Sequence, residues 1–169
     1  LATSATSMTV GAVDYINGNN LTYVANLFNC GGTQSTNNDG NLTSTIYANA
    51  GVGMSHGSYT GEAATKTVGH GLGVVPSFII VKKTSADANW AVYYGDNTDA
   101  LVINSGGGTT DANFWADTTP STSVFTVGNN AITGAAADYV FWAYANTEGF
   151  IKAGSYTGNG NADGTFIYT

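Results

Sequence analysis

The chain has 169 residues, a formal net charge of −7 and a charged fraction of only 9%. It contains four lysines and no arginine, so it cannot form the basic surface that a phosphate backbone or an anionic membrane requires. Nucleic acid is therefore excluded as a partner. Membrane insertion is excluded as well, because no apolar run approaches the roughly 20 residues of a transmembrane helix.

The residue pattern favours strands throughout. Thr, Ser, Asn and 23 Gly supply most of the polarity, and no long window has the periodicity of a helix. Short alternating or β-branched runs are separated by Gly, Asn and Asp clusters, which predicts an all-β fold, an antiparallel β-sandwich of jelly-roll-like type. The predicted strands are 21–28, 42–48, 55–60, 65–70, 77–84, 89–95, 100–104, 123–128, 139–145, 150–157 and 165–169.

The sequence repeats itself. GSYTG occurs at 57–61 and at 154–158, MTVG at 8–11 echoes FTVG at 125–128, and YVANLFN at 23–29 echoes YVFWAYAN at 139–146. We interpret the chain as a window on a tandem array. Residues 1–53 would be the end of one unit packed onto the main domain, 54–153 a complete β-sandwich unit, and 154–169 the first strands of another. The first residues, LATSATS, lead us to expect a segment of a longer protein.

The order of these motifs carries a resemblance. TVGHGLGVVPSFIIVKKTSADANWAVYY at 67–94, FWADTTPSTSVFTVG at 114–128 and DYVFWAYANTEGFIKAGSYTGNGNADGTFIYT at 138–169 resemble a β-rich repeat of tail-fibre-like structural proteins from marine tailed bacteriophages. The resemblance implies a protein of the virion surface with a role in host attachment. It transfers no catalytic residue.

Aromatic side chains are the strongest candidates for contact with a partner. They concentrate on a few predicted strands, where alternation sends some into the core and leaves others for a surface. Two interpretations stay open, a subunit interface and a platform for glycan rings, with the interface favoured because interfaces are enriched in Tyr and Trp. The candidate contact residues are Trp90, Tyr94, Trp115, Trp142 and Tyr144.

Other motifs have a structural interpretation that we prefer to a chemical one. GMSHG at 53–57 matches a nucleophile elbow around Ser55, but a strand pattern follows where that motif needs a helix. His56 and His70 are too few for a zinc site and are expected to be ordinary strand residues. The acidic residues lie singly in predicted turns, so no glycosidase pair is indicated.

One segment resembles the opening of a calcium loop. NGNADG at 159–164 would place Asn159, Asn161 and Asp163 around one ion, although Asn-Gly and Asp-Gly are also strong hairpin signals, and a turn is favoured. NNDG at 37–40 has the same interpretation. We therefore predict no cofactor and retain calcium as an alternative at the first of these loops.

Together these observations predict a non-enzymatic phage virion structural protein, a tail-fibre or appendage module that self-associates as a trimer or filament. It would lie on the virion surface or outside the cell, and a host-surface glycan is a candidate partner. The alternative is an extracellular filament or capsid decoration subunit that assembles by β-strand addition. A polysaccharide-degrading enzyme is the weakest candidate. We also expect residues 1–53 to pack as extra strands, with either Leu21, Tyr23 and Leu27 or Thr22 and Val24 buried.

Overall fold

A computed structural model describes residues 2–3, 8–11, 17–25, 30–105, 107–110 and 113–165. The fold is all-β and is an antiparallel β-sandwich, which confirms the predicted fold class. The strands of the described residues are Ala2–Thr3 (β1), Met8–Thr9 (β2), Ser35–Asn37 (β3), Ser44–Asn49 (β4), Met54–Thr60 (β5), Lys66–Gly69 (β6), Phe78–Lys83 (β7), Trp90–Tyr93 (β8), Asp99–Val102 (β9), Gly107–Thr110 (β10), Val124–Val127 (β11) and Asp138–Tyr144 (β12).

The large sheet has eight strands in the order β10-β9-β8-β7-β12-β5-β4-β3, and β11 pairs with β6 in a second sheet. From β5 the chain crosses to β6, returns to β7, and continues as a meander to β10. It then crosses again to β11 and returns to the large sheet as β12. β5 and β7 are therefore joined only through β12, which pairs antiparallel with both. β1 and β2 pair separately with each other.

The core lies between the two sheets. On β12 the alternate residues Tyr139, Phe141 and Ala143 are buried, as the period of two along a strand requires. The second sheet contributes Val68 from β6 and Phe125 from β11, and the ring of Phe125 packs edge-on against Phe141 at a centroid separation of 5.2 Å.

A glycine makes room for the central aromatic ring. Gly57 of β5 is the direct partner of Phe141 on β12. A Cβ atom at Gly57 would lie 2.8 Å from Cε1 of Phe141 and 2.9 Å from Cγ2 of Ile46. The Phe141 ring therefore occupies the space above Gly57. The first GSYTG segment thus fits β12 sterically, because its glycine leaves room for this ring.

The predicted strands between residues 42 and 145 are all present as β4 to β9, β11 and β12. The sequence pattern does not predict β3 and β10, because STN and GGTT contain no aromatic or aliphatic side chain and half of GGTT is glycine. The prediction of a strand at 150–157 is wrong: Ile151 forms an isolated bridge with Thr147 and residues 152–157 form no strand. Residues 166–169 of the last predicted strand lie outside the described residues.

The N-terminal segment differs from our expectation. Leu21, Thr22, Tyr23 and Val24 are exposed and form no strand, so the prediction that they pack onto the main domain is wrong, while Leu27 lies outside the described residues. Residues 35–49 do join the large sheet as β3 and β4. The predicted unit boundary after residue 53 falls in the β4–β5 connection, a short 3₁₀ turn.

We predict that Gly57→Ala destabilises the fold, because the added methyl group overlaps the Phe141 ring and the Thr45 carbonyl oxygen. Overpacking of this kind costs about 1–3 kcal/mol of the free energy of unfolding, measured by urea denaturation.

The matched control is Gly154→Ala, the same position in the second GSYTG segment, where a Cβ atom meets nothing within 4 Å. Its effect is expected within about 0.5 kcal/mol. Equal effects of the two substitutions would contradict the role assigned to Gly57.

Candidate functional site

The outer face of the large sheet, turned away from β6 and β11, carries a group of aromatic side chains. Tyr47 on β4 is the cross-strand partner of His56 on β5, and His56 is the partner of Trp142 on β12. Trp90 on β8 lies two strands from Trp142. The four side chains are half-buried, whereas their neighbours on the inner face are buried. We call Tyr47, His56, Trp142 and Trp90 the outer aromatic cluster.

The rings of this cluster stack in two pairs. Tyr47 and His56 have a centroid separation of 4.9 Å and an interplanar angle of 14°, and Trp90 and Trp142 have 5.8 Å and 17°. These separations are too short for rings lying side by side in one plane, so the rings stack face to face. Each ring of the cluster therefore has one face against its stacking partner.

A lysine lies beside the tryptophan pair. Lys82 is the cross-strand partner of Trp90, and its Nζ atom lies 5.8 Å from the Trp90 ring centroid. The same Nζ atom donates a hydrogen bond to the carbonyl oxygen of Ala88 at 2.5 Å. The ammonium group is thus held in place as a cation–π partner of Trp90, and this end of the cluster carries a positive charge on a protein of net charge −7.

A groove of about 420 Å³ opens at the other end of the same face. Its floor contains Phe78 and Tyr144, whose rings are 5.9 Å apart, and Ile80. Its rim is formed by residues 152–154, which Asn146 holds by accepting a hydrogen bond from the backbone N–H of Ala153 at 2.8 Å. Burial raises the pKa of the Tyr144 hydroxyl, and the nearby Cys30 raises it further.

Three of the five predicted contact residues, Trp90, Trp142 and Tyr144, share the outer face. Tyr94 directly follows β8 and is half-buried, and burial followed by the charges of Asp99 and Asp96 raises the pKa of its hydroxyl.

Trp115 contradicts the prediction of a surface role. It is 1% exposed in the core and packs edge-on against Tyr93, so it has no surface to offer a partner. Its Nε1 has no hydrogen-bond partner among the described residues. Sequence reasoning could not assign Trp115 because it lies in a turn, where no alternation indicates the direction of a side chain.

Sequence reasoning also missed two members of the cluster. Tyr47 was not singled out, and His56 was interpreted as an ordinary strand residue. Burial lowers the pKa of His56, which favours the neutral ring in the stack with Tyr47. Their contact depends on the register of β4 with β5, and that register is visible only in the folded sheet.

GMSHG is not a nucleophile elbow. Ser55 lies inside β5, is buried, and donates a hydrogen bond to the carbonyl oxygen of His70 at 2.5 Å. The Nδ1 atom of His70 accepts from the backbone N–H of Leu72 at 3.2 Å, and Nε2 lies 3.2 Å from the carbonyl oxygen of Ser121. This pattern requires a neutral imidazole with its proton on Nε2. Ser55 and His70 are thus structural, each holding the chain near β6.

The predicted calcium loop is an exposed turn. Oδ1 of Asn159 accepts from the backbone N–H of Asn161 at 3.0 Å, as in an Asx turn, and Gly160 has φ +69°. Asn161 and Asp163 are also exposed. The favoured turn interpretation accounts for this geometry, and calcium binding there stays an untested alternative.

Within the described residues, no cluster of three or more His, Cys, Asp or Glu side chains could hold a metal ion. The same part of the chain contains no helix of the length and apolarity needed to cross a bilayer.

Asp96 shows how the acidic residues are used: its carboxylate accepts from the backbone N–H and the hydroxyl of Thr98, and these bonds lower its pKa. It stabilises a turn.

His70 predicts a pH dependence of stability. Burial lowers its pKa below 6.5, although the hydrogen bond to Ser121 and the charge of Asp39 oppose the shift. The unfolded chain therefore binds the proton first as the pH falls, and the free energy of unfolding decreases below about pH 6.5, by at most about 1.4 kcal/mol per pH unit for one histidine. Denaturation in urea between pH 7.5 and pH 5 measures this slope.

In His70→Gln the slope is expected to flatten, and His56→Gln measures separately the contribution of the half-buried histidine, whose pKa burial also lowers. An unchanged slope in His70→Gln would show that other groups cause the dependence.

Comparison with known proteins gives one match. The model of the family described as a domain of unknown function (DUF7483) matches residues 2–169. No curated protein and no solved structure matches the chain significantly. Because the family model spans almost the whole chain, this β-sandwich, with its aromatic outer face, belongs to the DUF7483 family.

Proposed function

We propose that the protein is a non-enzymatic structural module that assembles with copies of itself through the outer face of its large sheet. Its setting would be a tail-fibre-like appendage on a phage virion, as the resemblance of the motif series implies. Within that appendage the module would supply a contact surface, and attachment of the virion to its host would be a property of the whole assembly.

The observation that carries this proposal is that the central strands are apolar on both faces. On β7, Ile79 and Val81 are buried in the core, while Phe78 and Ile80 face outward. Strands with two apolar faces are typical of sheets covered on both sides. Leu101 and Ile103 are also exposed, close to the outward-facing Val92 on the neighbouring strand β8. A second protein surface would cover this area.

The ring orientation favours a protein partner over a glycan. Sugar rings stack on the flat faces of aromatic side chains. In the outer aromatic cluster, each ring uses one face on its stacking partner, and Trp90 also has Lys82 beside its ring. The partly occupied rings that remain are suited to packing against side chains of another protein surface. Contact with a glycan is therefore the less favoured use of this face.

An enzymatic role has little support. Ser55 and His70, the only pair that the motifs suggested, are committed to backbone hydrogen bonds in the core. The groove beside Phe78 and Tyr144 has an aromatic floor, and Lys152 lies on its rim. Among the described residues that line this groove there is no carboxylate.

We predict that the double variant Trp90→Ser/Trp142→Ser loses self-association, because it removes the larger stacked pair from the outer face. Sedimentation velocity should give a mass above 17.3 kDa for the unaltered chain at high concentration and a mass near 17.3 kDa for the variant.

Phe150→Ser is the matched control, since Phe150 is an exposed aromatic residue that lies outside the sheet. This control should keep the mass of the unaltered chain. The proposal is wrong if the double variant and the control associate alike, or if the unaltered chain is monomeric throughout.

A further inference from the structure

The two GSYTG segments have opposite environments. In the first, Tyr59 is 4% exposed, stacks on Tyr139 of β12 at 5.0 Å, and donates its hydroxyl proton to the carbonyl oxygen of Thr133 at 2.6 Å. Thr60 donates to the carboxylate of Asp138 at 2.8 Å. A Cβ atom at Gly61 would collide with the carbonyl oxygen of Ala135. The residues of this segment from Tyr59 to Gly61 thus each have a contact within the sandwich.

The second segment has the same residues without these contacts. Tyr156 is 67% exposed, and residues 154–158 form no strand. A Cβ atom at Gly154 or Gly158 would meet nothing within 4 Å. Among the described residues, nothing requires glycine or tyrosine at these positions, although the same pattern is required in β5.

A counterpart of β12 lies near the N-terminus. The sequence YVANLFN at 23–29 echoes YVFWAYAN at 139–146, so that Tyr23 corresponds to Tyr139. Tyr139 is 1% exposed, whereas Tyr23 is 42% and Val24 88% exposed. The hydroxyl of Tyr23 accepts a local hydrogen bond from the backbone N–H of Gly18 at 2.8 Å, and residues 21–25 form no strand.

The chain therefore carries a second copy of the GSYTG segment of β5 and, at residues 23–24, an echo of the Tyr-Val pair of β12. We propose that residues 154–158 of one molecule pair antiparallel with residues 21–25 of a second copy, in the register of β5 with β12. Within the sandwich, Tyr59 lies opposite Tyr139 and Thr60 lies opposite Asp138. The same register between two molecules would place Tyr156 opposite Tyr23. It would also place Thr157 opposite Thr22.

A second copy is the occupant because each segment matches the partner of the other. The contact would cover Tyr156, Tyr23 and Leu21, which are large and exposed side chains. It joins different surfaces of the two molecules, so it is heterologous and builds an open chain of subunits or a ring. A two-stranded contact is marginally stable alone, so the association depends on concentration. This inference does not depend on the outer sheet face.

Mixed single-cysteine variants test the pairing. Thr22→Cys and Thr157→Cys are made in separate full-length chains that also carry Cys30→Ala, so that each has one thiol. These positions leave both tyrosines intact. Oxidation of the equimolar mixture with oxidised glutathione is expected to give a disulfide-linked heterodimer as the main dimer, because directly opposed residues of neighbouring strands lie close enough for a disulfide.

The control mixture replaces Thr157→Cys with Phe150→Cys, an exposed position outside GSYTG, and should give little heterodimer. Adding Tyr156→Ser to the Thr157→Cys chain should abolish the heterodimer, and adding Trp90→Ser/Trp142→Ser should leave it unchanged. The last result separates this contact from the proposed sheet-face assembly.

A chain that carries both Thr22→Cys and Thr157→Cys distinguishes pairing between two molecules from pairing within one molecule. Disulfide-linked oligomers support the proposal, and a cross-link within one chain overturns it in favour of an internal clasp. The proposal is also overturned if the heterodimer yield is no higher than in the Phe150→Cys control mixture. The same holds if the heterodimer still forms when Tyr156→Ser is added.

Discussion

The fold depends on the insertion of β12 between β5 and β7. These two strands do not pair with each other, so the central part of the sheet exists only when β12 joins them. The fit is specific because the ring of Phe141 fills the space above Gly57, which has no Cβ atom. Since β12 follows all the other strands of the large sheet in the chain, its contacts with β5 and β7 are long-range in sequence.

The same strand links the core to the surface. Its inward residues pack against the second sheet. Of its outward residues, Trp142 belongs to the outer aromatic cluster and Tyr144 lies in the floor of the groove. A chain with few charged residues can hold such a strand because aromatic stacking supplies contacts on both faces. The resulting sheet turns aromatic and aliphatic side chains outward, and the proposed role in assembly rests on them.

The repeats add a second basis for assembly at the ends of the chain. The GSYTG pattern has a strict steric and hydrogen-bonding reason in β5 and none in the exposed copy. This difference between identical residues is the basis for the proposal that the exposed copy pairs with another molecule.

The sequence by itself determined the fold class and the strands from residue 42 to residue 145, because alternation and Gly-rich turns are local signals. It also identified Trp90, Trp142 and Tyr144 as contact candidates. Only the tertiary structure placed Trp115 in the core and added Tyr47 and His56 to the surface, since these assignments depend on a turn and on cross-strand register. Residues 21–25 and 152–157 have strand-like patterns but form no strand in the described part of the chain, and β12, which the second GSYTG segment would match, is already paired on both sides.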